Sequence, residues 1–318
     1  MITNENLVAY LRSKAKENPR KIVFSELDDP RVAEAVKYIE KEKIAVPVVV
    51  TKDSIDPALR KQFAEFYFER RKIKGITIED AEAVMSDPLF YGAMLCRNGL
   101  ADGFVAGAKY TTSAVARSAI HCLDSDEQIG LICSCFIMIL PHAQYGQQGI
   151  FVYADCGIIP YPTSEQLALI GIAAGKFIQK VMQVTPRVAF LSFSSKGSAE
   201  GRWVEKIKEA VNIAQQKNTG LLIDGELQAD AAIVPEVAKI KVKQSDVAGQ
   251  ANVLIFPNLD AGNICYKITE RLARARAIGP IILGMKQPCS DLSRGCNVED
   301  IIDCTAVTVI RAHGNTGN

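Results

Sequence analysis

Short apolar runs bounded by turn residues alternate along this chain with longer amphipathic stretches. The runs are KIVFSE (21–26), VPVVV (46–50), GFVAGA (103–108), IFVYAD (150–155), VAFLSF (188–193), GLLIDG (220–225), NVLIFP (252–257), PIILG (280–284) and TAVTVI (305–310). Most are rich in β-branched residues and lack clean polar alternation, the signature of strands covered on both faces. Between them, apolar positions recur at helical spacing over 30–43, 78–98, 112–123, 163–182, 201–216 and 260–276. Thr77 with Asp80 and Thr163 with Gln166 stand at capping-box spacing where two of these stretches begin. Such strand–helix alternation predicts an α/β fold with largely parallel sheets. The weakest seam is LPHAQYGQQG (140–149), polar and Gly-containing, and a domain boundary is expected there. In open α/β sheets ligands bind beyond the carboxyl ends of strands, so the loops after strands are where chemistry is sought, and two domains would form a cleft.

Composition narrows the class. The 318 residues are 48% hydrophobic and 23% charged, the balance of a globular chain with one large domain or two. The 37 basic and 36 acidic residues leave a net charge of +1, which argues against a nucleic-acid or anionic-membrane partner and leaves room for local cationic pockets. The N-terminus carries no apolar signal core, and the greasiest stretch, IGLICSCFIMIL (129–140), is too short to span a bilayer. The nine cysteines form no C-x-x-C pair and lie in apolar segments, as reduced, buried thiols of a cytoplasmic protein would. With only His121, His142 and His313 available, no zinc site and no other metal is expected.

Candidate chemistry sits in loops. GIAAGK (171–176) is part of a phosphate-loop pattern but lies inside a helical stretch, where its glycines read as close-packing positions; no G-x-G-x-x-G follows a strand. SSKGSAEG (194–201) offers Ser195, Lys196, Gly197 and Ser198 between a strand and a helix, the composition of an anion cradle. A flexible turn with Ser198 as helix cap fits the same residues. In GAKYTTSAVARSA (107–119), Thr111, Thr112 and Ser113 follow a strand, and Arg117 shares a helix face with Ser113. A hydroxyl cap beside a solvated arginine is the plainer reading there. Arg71 lies in the basic run FERRKIKGIT, with nothing local to set it apart from Arg70 or Lys72. In SDLSRGCNVED (290–300), Asn297 can cap a helix whose first turn holds Asp300, completing a capping box. The cap leaves Ser293 and Arg294 unexplained.

Taken together, DGELQADAAIVPEVA (224–238), VAGQANVLIFPNLDAGNICYKI (247–268) and SDLSRGCNVED closely resemble the phosphate acetyltransferase (phosphotransacetylase) family, in its short form. ADGFVAGA, SFSSKGSA and MSDPLFYGAML fit as well, and the likeness runs in order from about residue 20 to the C-terminus. It implies two α/β domains in the isocitrate/isopropylmalate-dehydrogenase-like arrangement, residues 1–142 plus 292–318 and residues 143–291, with the active site in the cleft between them. It also implies a homodimer that interconverts acetyl-CoA and phosphate with CoA and acetyl phosphate, without a redox cofactor. The family's functional serine and arginine fall on Ser293 and Arg294, its acidic base on Asp300, and two further functional arginines on Arg71 and Arg117. The hydroxyl-rich SFSSKGS loop corresponds to a segment lining the cleft. Departures are Tyr110 at the head of Tyr110-Thr111-Thr112, Ser118 after Arg117, and Ala143 where some members have a cysteine, which argues against a covalent cysteine mechanism needing that position; Cys156 reads as a buried structural thiol.

The implied chemistry is acyl transfer between two anions, by direct attack of the CoA thiolate on acetyl phosphate in a ternary complex. Alignment of both reactants supplies on the order of 7–11 kcal/mol in ideal cases. Arginine's planar fork suits phosphate oxygens. Arg294 is the first choice for the acetyl phosphate, with Arg117 and Arg71 for phosphate or CoA charge. Ser293 is placed to hydrogen-bond the thiol or the oxyanion. An ordinary aspartate near ~3.9 and a thiol near ~8.5 differ by roughly 6 kcal/mol in proton affinity, so the site must raise the acid or stabilise the thiolate. The alternatives are a phosphate butyryltransferase, or a non-catalytic regulatory or oligomerisation domain of the same fold.

Overall fold

The computed structural model describes residues 2–217 and 219–314. In chain order the elements are α1 (Leu7–Glu17), β1 (Lys21–Phe24), α2 (Pro30–Lys41), β2 (Val46–Val49), α3 (Pro57–Arg71), α4 (Ile78–Val84), α5 (Pro88–Arg97), β3 (Gly103–Ala106) and α6 (Thr112–Cys122). There follow β4 (Cys133–Ile139), β5 (Ile150–Ala154), α7 (Ser164–Met182), β6 (Arg187–Leu191), α8 (Arg202–Gln216), β7 (Leu222–Leu227), α9 (Ala229–Ile233), α10 (Pro235–Lys241) and β8 (Val253–Ile255). The last are α11 (Leu259–Leu272), β9 (Arg276–Leu283), β10 (Cys289–Asp291) and α12 (Val298–Ala312).

The chain divides into two compact units. A terminal unit holds Leu11–Asp126 and the chain from Met285 onward; a central unit holds the residues up to Tyr10 and Glu127–Gly284. In the terminal unit β2, β1, β3 and β10 lie side by side, all parallel. In the central unit β5, β8, β6 and β7 are parallel, while β4 runs antiparallel to both β5 and β9. The boundary expected at 140–149 is therefore displaced. That segment joins β4 to β5, whose register pairs Ile139 with Ile150, so the two strands belong to one antiparallel ladder. The seams fall after Asp126 and after Gly284 instead of near 142 and 291.

Capping chemistry sets several helix starts. Thr77 with Asp80 and Thr163 with Gln166 form the boxes their spacing predicts. The single helix expected over 78–98 is two, because Pro88 cannot continue α4; Asp87 caps α5 and Pro88 opens its first turn. The largest departure is TAVTVI. It continues α12, and is no strand. Its β-branched residues suggested one, but the cap at Asn297 starts a helix in which every residue from Ile301 to Ala312 is buried. The two threonine hydroxyls donate one turn back, Thr305 to the Ile301 carbonyl and Thr308 to that of Cys304, both at 2.7 Å. A helix enclosed on all sides has no polar face to reveal its period.

In α7 the GIAAGK glycines are packing positions. A Cβ on Gly171 would stand 2.4 Å from the Phe190 ring of β6, and one on Gly175 would stand 2.8 Å from Leu221. Gly171→Val is expected to cost about 1–3 kcal/mol by overpacking, more than any gain from a better helix former. A lowered midpoint in urea unfolding measures it; an unchanged midpoint contradicts the packing role.

Candidate active site

The strands of the terminal unit are parallel, so the loops leaving β1, β3 and β10 emerge at one end. Glu26 follows β1 and is buried. Its carboxylate accepts four backbone N–H bonds from the loop after β3: Gly107 at 2.8 Å and Ala108 at 3.1 Å on one oxygen, Lys109 at 2.6 Å and Tyr110 at 2.8 Å on the other. Gly107 has φ +115, and a Cβ there would meet Asp291 at 2.4 Å and the Leu292 backbone at 2.6 Å. Only glycine allows that approach. Tyr110, a departure from the family pattern, donates its hydroxyl to Asp87 at 2.7 Å, which latches the loop to the start of α5.

This fixed loop presents Thr111, Thr112 and Ser113, all exposed. Thr111 caps α6, accepting from the Ala114 N–H at 3.2 Å. Arg117 stands exposed one turn later, without a hydrogen-bond or ion-pair partner among the described residues. At the end of α3 the basic run resolves into distinct roles. Arg70 pairs with Asp124 at 3.2 Å and Lys72 with Glu69 at 2.5 Å. Arg71 has no acidic partner among the described residues, and its Nε is buried without an acceptor. The charges of Arg71, at the end of α3, and of Arg117, on α6, both act on Tyr67 and His121, which lie where these helices pack.

The loop after β10 is held by Arg31. Its guanidinium donates to the carbonyls of Arg294 at 2.9 Å, Cys296 at 2.7 Å and Ala108 at 3.0 Å, and pairs with Asp29 at 2.8 Å. That ties the Ser293–Arg294 loop to the loop after β3. Ser293 and Arg294 are exposed; the Ser293 hydroxyl accepts from the Gly295 N–H at 3.3 Å, and the Arg294 guanidinium has no partner among the described residues. Asn297 and Asp300 form the expected reciprocal box, each bond 3.0 Å. The cap takes Oδ2 of Asp300 and leaves Oδ1 without a hydrogen bond among the described residues. Burial pushes the Cys296 thiol up to about 11, with Arg31 opposing, and pushes the Cys156 thiol up as well, so neither is a ready thiolate.

Ser195, Lys196, Gly197 and Ser198 belong to the central unit, and their loop is not an open cradle. The Ser195 N–H donates to the Ser198 hydroxyl at 3.0 Å, Lys196 N–H to the Glu226 carbonyl at 3.2 Å, Gly197 N–H to the buried Glu226 carboxylate at 2.7 Å, and Ser198 N–H to the Ser195 carbonyl at 3.1 Å. Lys196 pairs with Asp224, and Gly201, not Ser198, caps α8. Internal carboxylates take the place an external anion would need. What remains outward is hydroxyl and ammonium.

Residue-by-residue reading passed over Glu26, Arg31 and Asp291. The first two bound the charge-dense ELDDPR, which begins at the last residue of a strand run, a detectable signal; Asp291 gave none. It is 1% exposed, and neither carboxylate oxygen has a hydrogen-bond partner. Burial pushes it up to about 7; Thr112 beside it favours the charged form without closing a bond of ordinary geometry, and Glu26 adds like charge. The unfolded chain ionises near ~3.9, so the stability contributed by neutral Asp291 is full below that value and lost as pH rises through about 7. From pH 5 to 8, Asp291→Asn should therefore gain about 2–3 kcal/mol on the parent protein in urea unfolding. A pH-independent difference would show that Asp291 is ionised throughout.

A family model described as phosphate acetyl/butaryl transferase matches residues 6–309. The phosphate acetyltransferase of Acetivibrio thermocellus is 45% identical over 318 residues, spanning 94% of this chain and 96% of its own. That of Thermoanaerobacterium thermosaccharolyticum is 40% identical, spanning 96% and 99%. Among solved structures, a phosphotransacetylase from Streptococcus pyogenes superposes with a TM-score of 0.90 at 35% identity, covering 98% of this chain and 99% of that one.

Proposed function

The chain belongs to the phosphate acetyl/butaryl transferase family, and from that premise we propose how its own residues perform the transfer. It is an acyltransferase of the phosphate acetyltransferase class, moving acetyl reversibly between CoA and phosphate. Its substrates are acetyl-CoA and phosphate in one direction, CoA and acetyl phosphate in the other. The observation that carries the site reading is the charge pattern of the terminal unit. Arg12, Arg31, Arg70 and Arg97 are each matched to a carboxylate, whereas Arg71, Arg117 and Arg294 are not, and Arg117 and Arg294, unlike the equally unmatched Arg20 and Arg60, stand exposed. Guanidinium groups held without counter-charge are ready for anionic substrates.

In this reading Arg294 holds the acetyl phosphate and neutralises charge gathering on the leaving phosphate. Arg71 and Arg117 hold phosphate or CoA charge, and the Thr111–Ser113 hydroxyls supply further donors. Ser195, Lys196 and Ser198 contribute side chains only, their backbone N–H groups being occupied. Ser293 donates its hydroxyl to the thiolate or the oxyanion. Asp300 accepts the thiol proton at Oδ1, while Oδ2 stays with the helix cap. The thiolate then attacks the acetyl carbon directly, and phosphate leaves from a ternary complex. The isocitrate/isopropylmalate-dehydrogenase-like assignment and the cytoplasmic setting of the free thiols are parts of the same proposal.

Incubation with CoA and acetyl, propionyl or butyryl phosphate, read as thioester absorbance, tests the activity and the chain-length alternative together. Acetyl phosphate should react fastest, and silence with all three would sink the enzyme reading. Asp300→Asn should lower kcat by about 10²–10⁴-fold, the usual share of a general base, with KM little changed. Near-normal turnover at saturating substrate would remove Asp300 from that role.

Self-association is supported by α11. Ile264, Ile268 and Leu272 are spaced four apart and exposed, and Gly262 is the one fully buried residue of the helix. An apolar stripe on one helix face fits an isologous homodimer contact. Replacing both Ile268 and Leu272 with Glu should convert a dimer to a monomer in size-exclusion light scattering; an unchanged mass places the interface elsewhere. Among the described residues no helix is long and apolar enough to cross a membrane, and no group of three or more His, Cys, Asp and Glu side chains is arranged to hold a metal ion.

A further inference from the structure

Where α3 packs on α6, the Tyr67 hydroxyl lies 2.9 Å from Nδ1 of His121. Tyr67 is buried, and its hydroxyl has no other acceptor among the described residues, so the O–H donates to Nδ1. The neutral ring then carries its hydrogen on Nε2, and that N–H has no acceptor among the described residues. The charges facing the ring are Arg70 and Arg71 from α3 and Arg117 from its own helix. Arg70 is engaged by Asp124, which Arg97 of α5 also contacts. Cys122, next in the chain, is buried and pushed up to about 12, so it brings no negative charge. Arg71, Arg117 and Nε2–H of His121 thus form three donors with no acceptor among them.

We propose that His121 is a third ligand of the anion held by Arg71 and Arg117, donating Nε2–H to a phosphate group of a substrate and coupling that binding to proton uptake. This rests on the reading of the two arginines as substrate ligands. Burial and the three arginines push the ring down to about 4, so it is neutral in the free protein at neutral pH. A dianion seated among these groups cancels the repulsion and raises the ring's affinity for a proton. The proton comes from solvent and enters at Nδ1, and the Tyr67 phenol turns to accept from it. By linkage the anion binds more tightly as pH falls toward the raised value, and a rise of one unit corresponds to about tenfold preference of the protonated form. The ligand chemistry is a phosphate group, from inorganic phosphate or from CoA.

With three histidines in the chain, imidazole NMR separates the possibilities. The His121 signal is the one missing in His121→Ala. It should titrate well below the other two in the free protein and move up by about one unit or more with inorganic phosphate, or with CoA but not dephospho-CoA if the 3′-phosphate is the ligand. His121→Ala should raise KM for the responding substrate about 10–100-fold, the worth of one hydrogen bond to an anion, with kcat changed less than about twofold. His121→Gln, which keeps a donor but cannot titrate, should restore KM and lose its pH dependence. A His121 signal unmoved by both phosphate and CoA overturns the proposal. If Arg71→Ala and Arg117→Ala then still raise KM, only the histidine's role falls; if they leave it unchanged, the anion site itself falls.

Discussion

A buried carboxylate with four backbone N–H groups converging on it fixes this candidate site. Glu26 turns the loop after β3 inside out relative to an anion cradle: the donors that would face a phosphate face inward, and the side chains that follow face out. Burial of an acid is costly unless its lone pairs are met, and here the loop meets them. The close pass of Gly107 over Asp291 and the grip of Arg31 on both loops follow from the same placement. The central unit repeats the device, with Glu226 filling the turn at Ser194–Gly197. Both loops looked like phosphate cradles because the composition that welcomes an external anion also welcomes an internal one.

Recognition of charge is then left to side chains. The terminal unit sorts its arginines by whether a carboxylate reaches them, and the sorting is tertiary. Arg70 and Arg71 are neighbours in sequence, yet Asp124 reaches only the first. Electrostatic preorganisation of this kind needs no closing motion to unmask the cations. It needs their neighbours kept neutral, as His121, Tyr67 and Cys122 are.

Much of this was legible in the sequence where local rules suffice. Capping boxes at Thr77, Thr163 and Asn297 were readable because a cap is a contact between residues three apart. Strand runs were readable because burial on both faces leaves no polar positions. The helical course of TAVTVI was hidden because full burial erases the polar face and β-branching pointed to a strand. The seam at 140–149 misled because a polar hairpin connection and a linker have the same composition. Asp291 and the pairing of Arg70 were unreadable, since both depend on which distant segment lies alongside.

The strand register of β10 also sets an order in time. Its partner β3 is made early, but Cys289 cannot pair with Phe104 until the whole central unit has been synthesised. Until then the side of β3 that β10 and α12 will cover lies open, and so do the parts of α2 that α12 contacts. The central unit, continuous from Glu127 to Gly284 apart from the first residues, can close on itself sooner. A nascent chain therefore carries a finished middle and an unfinished beginning, with the apolar flank of its earliest strands uncovered until the last helix arrives.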